Sequence, residues 1–270
     1  MHPLLAGMHW IVIGGGPAMN VAYFENGLNY MFAGELPEGN DMFMYEQYDS
    51  IPSKSLPVEL STQSPLEVQA ALVQDLHLFI ARVTNGQPFG IIAHSFGAFY
   101  ALKYAELFKG HCLKKLILIA PTPFCRRDWD AAMLKTWELY PSDLQQKLKV
   151  LSECDFEGTE TLKLIEPYYV QMPLPEFLRP VHYNDQAANK LMSMLGDFDV
   201  SGVLRHISDG KTHAKAIIVH GDGDPFLNVD DCNAVAGSIT HIIPNCGHYP
   251  FAEQPDACRA AVLKFIRESH

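Results

Sequence analysis

Basic residues are scarce in this 270-residue chain: 20 Lys and Arg stand against 31 Asp and Glu, for a formal net charge of -11. Such a charge repels phosphate backbones and anionic lipid headgroups at a distance, so nucleic acid is not an expected partner. No window approaches the roughly 18 uninterrupted apolar residues that a spanning helix needs, and no membrane association is expected. Residues 1–8 carry no basic segment leading into an apolar run, because Gly7, His9 and Gly14 to Gly16 interrupt it, and no signal peptide is read there. The six cysteines (Cys112, Cys125, Cys154, Cys232, Cys246, Cys258) form no C-x-x-C pair and no group with histidines at metal-ligand spacing. They read as reduced thiols of a cytoplasmic protein without a bound metal. Internal repeats, low-complexity tracts and Ser/Gly-rich linkers are missing too, so organisation must be read from the order of elements.

What is present is a large supply of core. Hydrophobic residues make up 48% of the chain, with 15 Phe and 11 Tyr, enough apolar surface for one globular core domain with an insertion. Six short apolar runs lack polar alternation: His9–Ile13, Met42–Tyr45, Phe89–Ala93, Leu113–Ala120, Ala214–His220 and Ile239–Ile243. Strands covered by helices on both faces show this pattern. Between them lie helical periodicities with clear start signals. Ser64-Pro65-Leu66-Glu67 is a capping box with Pro at the first helical position, and Asn85-Gly86 ends the helix it opens. Alternating strand and helix predict an α/β fold built on a mostly parallel sheet of about six strands. Residues of about 122 to 212 break the rhythm, with helical patterns but no convincing strand. Ser142 opens a second capping-box pattern there, and Asn184 caps the run Gln186–Leu195. The stretch 122–212 is read as a helical cap inserted into a core made of residues 1–121 and 213–270.

Chemistry is concentrated in Gly90-Ile-Ile-Ala-His-Ser95-Phe-Gly-Ala98, where an apolar strand runs through a tight turn into the helix Phe99–Leu107. This has the form of a nucleophile elbow, with Ala93 where G-x-S-x-G has its first glycine; the turn needs only a small side chain there. A serine hydroxyl is a poor nucleophile without a base, so a histidine is required on a loop after the last strand. His248, in Asn245-Cys246-Gly247-His248, occupies such a loop, ahead of a final helix Gln254–Glu268. His94 is expected to pack beneath the elbow. The acid should follow the preceding strand, where Gly221-Asp222-Gly223-Asp224 offers two carboxylates; Asp224 lies deeper in the turn, and Asp222 is left to cap the loop. Ser95, Asp224 and His248 then occur in the chain order of α/β-hydrolases. An oxyanion hole needs two N–H donors, one from Phe96 and one from the turn Ile13-Gly14-Gly15-Gly16-Pro17-Ala18. Pro17 and Ala18 spoil a G-x-G-x-x-G reading of that turn, which sets dinucleotide binding aside.

With these pieces in place the chain resembles the proline iminopeptidase branch of the α/β-hydrolase superfamily over nearly its whole length. Gly14-Gly15-Gly16-Pro17-Ala18 is similar to that family's H-G-G-P-G, Tyr45-Glu46-Gln47-Tyr48-Asp49 sits where it has D-Q-R-G, and Met192-Ser193-Met194-Leu195-Gly196-Asp197-Phe198 is similar to its cap motif M-N-G-x-x-E-F. The resemblance implies that Gly16 supplies the second oxyanion donor, and that an acidic cap residue grips a substrate amine, which nominates Asp197 and secondly Glu166. It implies an aminopeptidase acting on a small molecule or short peptide, with no metal or organic cofactor. The first His and last Gly of the glycine turn and the Arg and Gly of the second segment are missing, and two leading strands have no room before Gly14. These departures leave open a carboxylester or thioester hydrolase using the same triad, and a ligand-binding protein without turnover. Trp129, Trp137, Tyr168 and Tyr169 are expected to wall the pocket.

Overall fold

The computed structural model describes residues 7–33, 39–50, 55–108, 112–152, 158–178, 181–211, 214–226 and 239–267. In chain order the sheet and its covering helices begin with β1 (His9–Ile13), α1 (Ala22–Phe32), β2 (Asp41–Tyr45), α2 (Pro65–Thr84), β3 (Phe89–His94), α3 (Gly97–Leu107) and β4 (Leu113–Ile119). Five helices follow: α4 (Arg126–Leu139), α5 (Ser142–Leu151), α6 (Thr159–Ile165), α7 (Asp185–Leu195) and α8 (Ser201–Ser208). The chain then returns through β5 (Lys215–Gly221), β6 (Ile239–Ile243), α9 (Pro250–Glu253) and α10 (Pro255–Arg267). Cys154, Cys232 and Glu268, the last residue of the expected final helix, lie outside the described residues.

All six strands are parallel, in the order β2-β1-β3-β4-β5-β6. Val12, Ile92, Ile117, Ile217 and Ile239 stand side by side across five of them. The four inner strands β1, β3, β4 and β5 send alternate residues into two separate apolar layers. Ile11, Ile13, Ile91, Leu116, Leu118 and Ile218 pack on one side with residues of α2, α3 and α8. Trp10, Val12, Ile92, Ile117, Ile217 and Val219 pack on the other with residues of α1 and α10. Because both layers are apolar, the strands read as unbroken hydrophobic runs. The order has a functional consequence: after β1 the chain turns outward to β2, and after β3 it turns the other way to β4. The loops leaving β1 and β3 therefore diverge, and a crevice opens between their carboxyl ends.

Local signals act as the sequence implies at two helix starts. Ser64 accepts from the Glu67 amide while the Glu67 carboxylate accepts from the Ser64 amide, a complete capping box, and Asn85 ends α2 at φ 48°. Asn184 accepts from the Ala187 amide at 2.9 Å. The Ser142 expectation is corrected. Pro141 stands at the N-cap and Ser142 is the first residue inside α5, without a side-chain cap bond, since Pro141 already holds the extended backbone that precedes a helix.

The excursion between β4 and β5 is pinned where it leaves and where it closes. Cys125 and Asp199 form an antiparallel bridge, flanked by bonds from the Arg126 amide to the Phe198 carbonyl and from the Val200 amide to the Phe124 carbonyl. Beyond that stem Val203, Leu204 and Ile207 of α8 join the apolar layer that covers the sheet. Among the described residues no helix is long and apolar enough to cross a membrane. Cys112, Cys125, Cys246 and Cys258 are free thiols.

The exposed capping box of α2 gives a direct stability test. Ser64→Ala is expected to cost about 1 kcal/mol and to lower the melting temperature by about 2 °C, read by thermal unfolding.

Candidate active site

Ser95 sits at the junction of β3 and α3 with φ 53°, a left-handed conformation that turns the chain sharply. Three backbone bonds hold it there: its amide donates to the Ile119 carbonyl at 3.1 Å, and its carbonyl accepts from the amides of Ala98 at 3.0 Å and Thr122 at 3.3 Å. Gly97 explains the second glycine of the motif. A side chain there would stand 2.6 Å from the Gly14 carbonyl oxygen and 2.7 Å from that of Ile13, so only glycine lets the elbow press against the turn after β1.

His248 Nε2 lies 2.9 Å from Ser95 Oγ, and His248 Nδ1 lies 3.0 Å from Asp224 Oδ2. A buried carboxylate can only accept, so Nδ1 carries the proton and Nε2 is left to receive that of the serine. Asp224 takes more than one donor. His220 Nδ1 is 3.1 Å from the same Oδ2, and the Phe226 amide donates to Oδ1 at 2.9 Å. Burial pushes the carboxyl pKa up, but attraction to His248 and the hydrogen bonds of His220 and His248 outweigh it and hold the group well below the usual carboxylate range. Asp222, the other acid of the turn, accepts from the Cys246 amide, the loop-capping part expected of it.

The turn after β1 faces the elbow. Gln47 Nε2 donates to the carbonyls of Gly14 and Gly15 at 2.7 and 2.9 Å, while the Gly15 amide donates to Tyr23 Oη at 2.7 Å. Both ends of the Gly14–Gly15 peptide are thus held, and the carbonyl of the next peptide as well. In a trans peptide the N–H points opposite its carbonyl, so the Gly16 N–H is directed away from Gln47. Gly16 lines the same cavity as Ser95. Phe96 is fully buried at the N-cap of α3, whose own backbone bonds begin at Ala98, so its amide is not used by the helix.

A cavity of about 610 Å³ stands over Ser95 and His248. The stretch between β4 and β5 contributes Trp129, Trp137, Tyr140, Tyr169 and Met192 to its wall, and Phe226 comes from the turn after β5. Tyr168 is not part of that wall and packs on Tyr140 instead, with ring centroids 4.7 Å apart. The two nominated cap acids separate. Glu166 is half-buried and lines the cavity, whereas Asp197 is exposed outside it. The expectation for Asp197 is corrected: α7 buries Leu191, Met192 and Leu195, and the turn at Gly196 leaves residue 197 on the outer surface, with its carbonyl accepting from Gln69.

Several residues at the site carried no sequence signal. Glu253, buried in α9, accepts from the amides on either side of the histidine, Gly247 and Tyr249, both at 2.9 Å. It accepts also from the amides of Gln171 at 2.7 Å and Met172 at 3.3 Å, while the His248 amide donates to the Tyr169 carbonyl at 2.7 Å. His220 read only as the end of a strand, and Tyr23 drew no reading at all.

The chain matches the model of the alpha/beta hydrolase family over residues 55–261 and belongs to that family. Among solved structures it is similar to a proline iminopeptidase-related protein of Thermus thermophilus, at 23% identity and TM-score 0.65, over 98% of this chain and 90% of that one. It is similar to a proline iminopeptidase of Mycobacterium smegmatis, at 17% identity and TM-score 0.66, over 97% and 89%. It is similar also to an esterase of Exiguobacterium antarcticum, at 17% identity and TM-score 0.68, over 97% and 93%. Comparison with curated proteins gives no match. The chain is thus an enzyme-type α/β-hydrolase fold with peptidase and esterase neighbours.

The Glu253 clamp yields a prediction independent of any activity. Glu253→Gln turns one of the two acceptor oxygens into an amino group among four converging amides and is expected to cost about 2 kcal/mol, read by urea unfolding.

Proposed function

We propose that this chain is a serine hydrolase that works by acyl transfer, with Ser95 as nucleophile, His248 as general base and Asp224 as the acid that orients the histidine. The observation that carries the reading is the unbroken hydrogen-bonded line from Ser95 Oγ through His248 to Asp224, with links of 2.9 and 3.0 Å, beneath the cavity. Ser95 Oγ attacks the substrate carbonyl carbon as His248 Nε2 takes its proton. The oxygen that becomes negative is received by the amides of Gly16 and Phe96. The imidazolium passes its proton to the leaving group, the acyl group stays on Ser95, and a water activated by the same histidine releases the acid and restores the serine. These steps need no metal or organic cofactor.

Residues 122–200 form the cap in this reading, and α8 belongs with the core because it covers the sheet beyond the stem at Cys125 and Asp199. Closed over Ser95, the cap keeps bulk water from the tetrahedral intermediate. The aromatic wall of Trp129, Trp137, Tyr169 and Phe226 favours an apolar acyl group on a carboxylic ester, and a volume of about 610 Å³ exceeds the needs of a single prolyl residue. The aminopeptidase reading is supported by one observation, the Glu166 carboxylate at the cavity wall, where it could pair with a substrate amine. A cytoplasmic location is part of the proposal, in keeping with the four free thiols.

Ser95→Ala is expected to abolish labelling by a fluorophosphonate probe as well as turnover of a p-nitrophenyl ester; undiminished labelling would overturn the assignment. Asp224→Asn should lower kcat about a thousandfold or more. Substrate class is read from Glu166→Gln assayed on two substrates. With an aminopeptidase, prolyl-p-nitroanilide hydrolysis falls about tenfold or more while p-nitrophenyl hexanoate is unaffected. With an esterase, hexanoate turnover exceeds that of the prolyl anilide in the wild type and Glu166→Gln changes neither.

A further inference from the structure

A buried chain of polar groups runs beneath the proposed triad without belonging to it. The Gly15 amide donates to Tyr23 Oη at 2.7 Å, Tyr23 Oη lies 2.6 Å from His94 Nδ1, and His94 Nε2 lies 2.8 Å from the carbonyl oxygen of His248. Tyr23 and His94 are essentially inaccessible to solvent. The direction of every proton in the chain follows from its end. A carbonyl only accepts, so His94 Nε2 carries the hydrogen. Burial, and then the nearby His248, hold the His94 pKa well below the ordinary histidine value, so the ring is neutral and Nδ1 is an acceptor. Tyr23 must then donate to Nδ1, which leaves its oxygen lone pairs to receive the Gly15 amide.

The three loops joined this way are the three the proposed reaction brings together. Gly15 precedes the expected oxyanion donor Gly16, His94 precedes the nucleophile, and the carbonyl belongs to the general base itself. We propose that Tyr23 and His94 are positioning residues, a one-directional hydrogen-bonded tie that holds the oxyanion turn and the catalytic histidine in register with Ser95. This inference rests on the serine hydrolase reading. Neither residue touches the reacting atoms: the Tyr23 hydroxyl has its one proton on His94 and accepts from Gly15, and both His94 nitrogens are occupied. Ring packing fixes the tie sideways, since His94 meets Phe251 edge-on at 5.1 Å and Tyr23 at 5.6 Å between centroids. Cutting the tie strands a buried amide and a buried imidazole nitrogen, a loss that falls on loop geometry and so on kcat.

The experiment measures kcat and KM on p-nitrophenyl hexanoate together with the rate of fluorophosphonate labelling, with every rate expressed per titrated active site. Tyr23→Phe keeps the ring and removes the hydroxyl; kcat and labelling rate are expected to fall about tenfold to hundredfold with KM nearly unchanged. His94→Gln keeps a donor for the His248 carbonyl and an acceptor for Tyr23, and is expected to retain most of the activity that His94→Leu loses. The double variant Tyr23→Phe/His94→Leu should lose clearly less than the product of the two single losses, because both substitutions cut the same chain and only the stranded Gly15 amide is added. Wild-type rates per active site in Tyr23→Phe, or equal losses in His94→Gln and His94→Leu, would overturn the proposal. Should Tyr23→Phe fail to fold, the two His94 variants decide. An inert wild type would remove the serine hydrolase reading and this inference with it, whereas an active wild type matched by Tyr23→Phe removes the inference alone.

Discussion

The φ of 53° at Ser95 is a conformation that costs an L-residue roughly 1–2 kcal/mol, and its neighbours are arranged to keep it. The end of β4 grips the serine amide, the first turn of α3 grips its carbonyl, and Gly97 lets the elbow lie against the turn after β1. That turn can be close because β1 and β3 are neighbours whose connections run in opposite directions. The strained residue therefore falls at the place where the sheet order opens a crevice. The loops after β5 and after β6 reach the same carboxyl edge and bring Asp224 and His248 to it. Remove the sharp turn and the serine drops back into the strand, away from both.

What could be read in the sequence follows from what kind of physics placed each residue. The inner strands were legible because each is covered on both faces, which leaves a hydrophobic run rather than an alternation. The elbow, the acid turn and the histidine loop were legible because each is a local pattern at a strand end, and their order along the chain is itself a signal. Glu253 was not legible, since a carboxylate near a helix start ordinarily faces water; only the tertiary fold turns it onto four amides. Tyr23 was hidden for the opposite reason, as an aromatic among apolar positions of α1. Asp197 misled because a similar motif fixes neighbours in sequence but not the side of the helix end on which a carboxylate emerges. Ser142 misled because the preceding Pro141 had taken the capping position.

The stretch between β4 and β5 is held to the rest of the chain unevenly. Beyond its stem, residues 182–184 are bonded to residues 18–20 just after the glycine turn, through the Asn20 amide on the His182 carbonyl and the Asn184 amide on the Ala18 carbonyl. Tyr169, Gln171 and Met172 are bonded to the loop of His248, directly or through Glu253. Between these attachments and the stem, Trp129 and Trp137 of α4 and Tyr140 beyond it face the cavity.

One carboxylate serving two pieces of backbone divides the molecule's freedom to vary. Any change that shifts residues 169–172 drags on Glu253 and so on the amides beside His248, which makes that strip of wall costly to redesign. The wall supplied by α4 has no such bond to the loop of His248 among those described. Descendants of this sequence can exchange the half-buried Trp137 for smaller or larger side chains and reshape the cavity while Ser95, His248 and Asp224 stay where they are, whereas Trp129 is buried against Phe96 and Phe226 and is less free to change. New specificities would accumulate in α4, and the strip beside the histidine would change slowly.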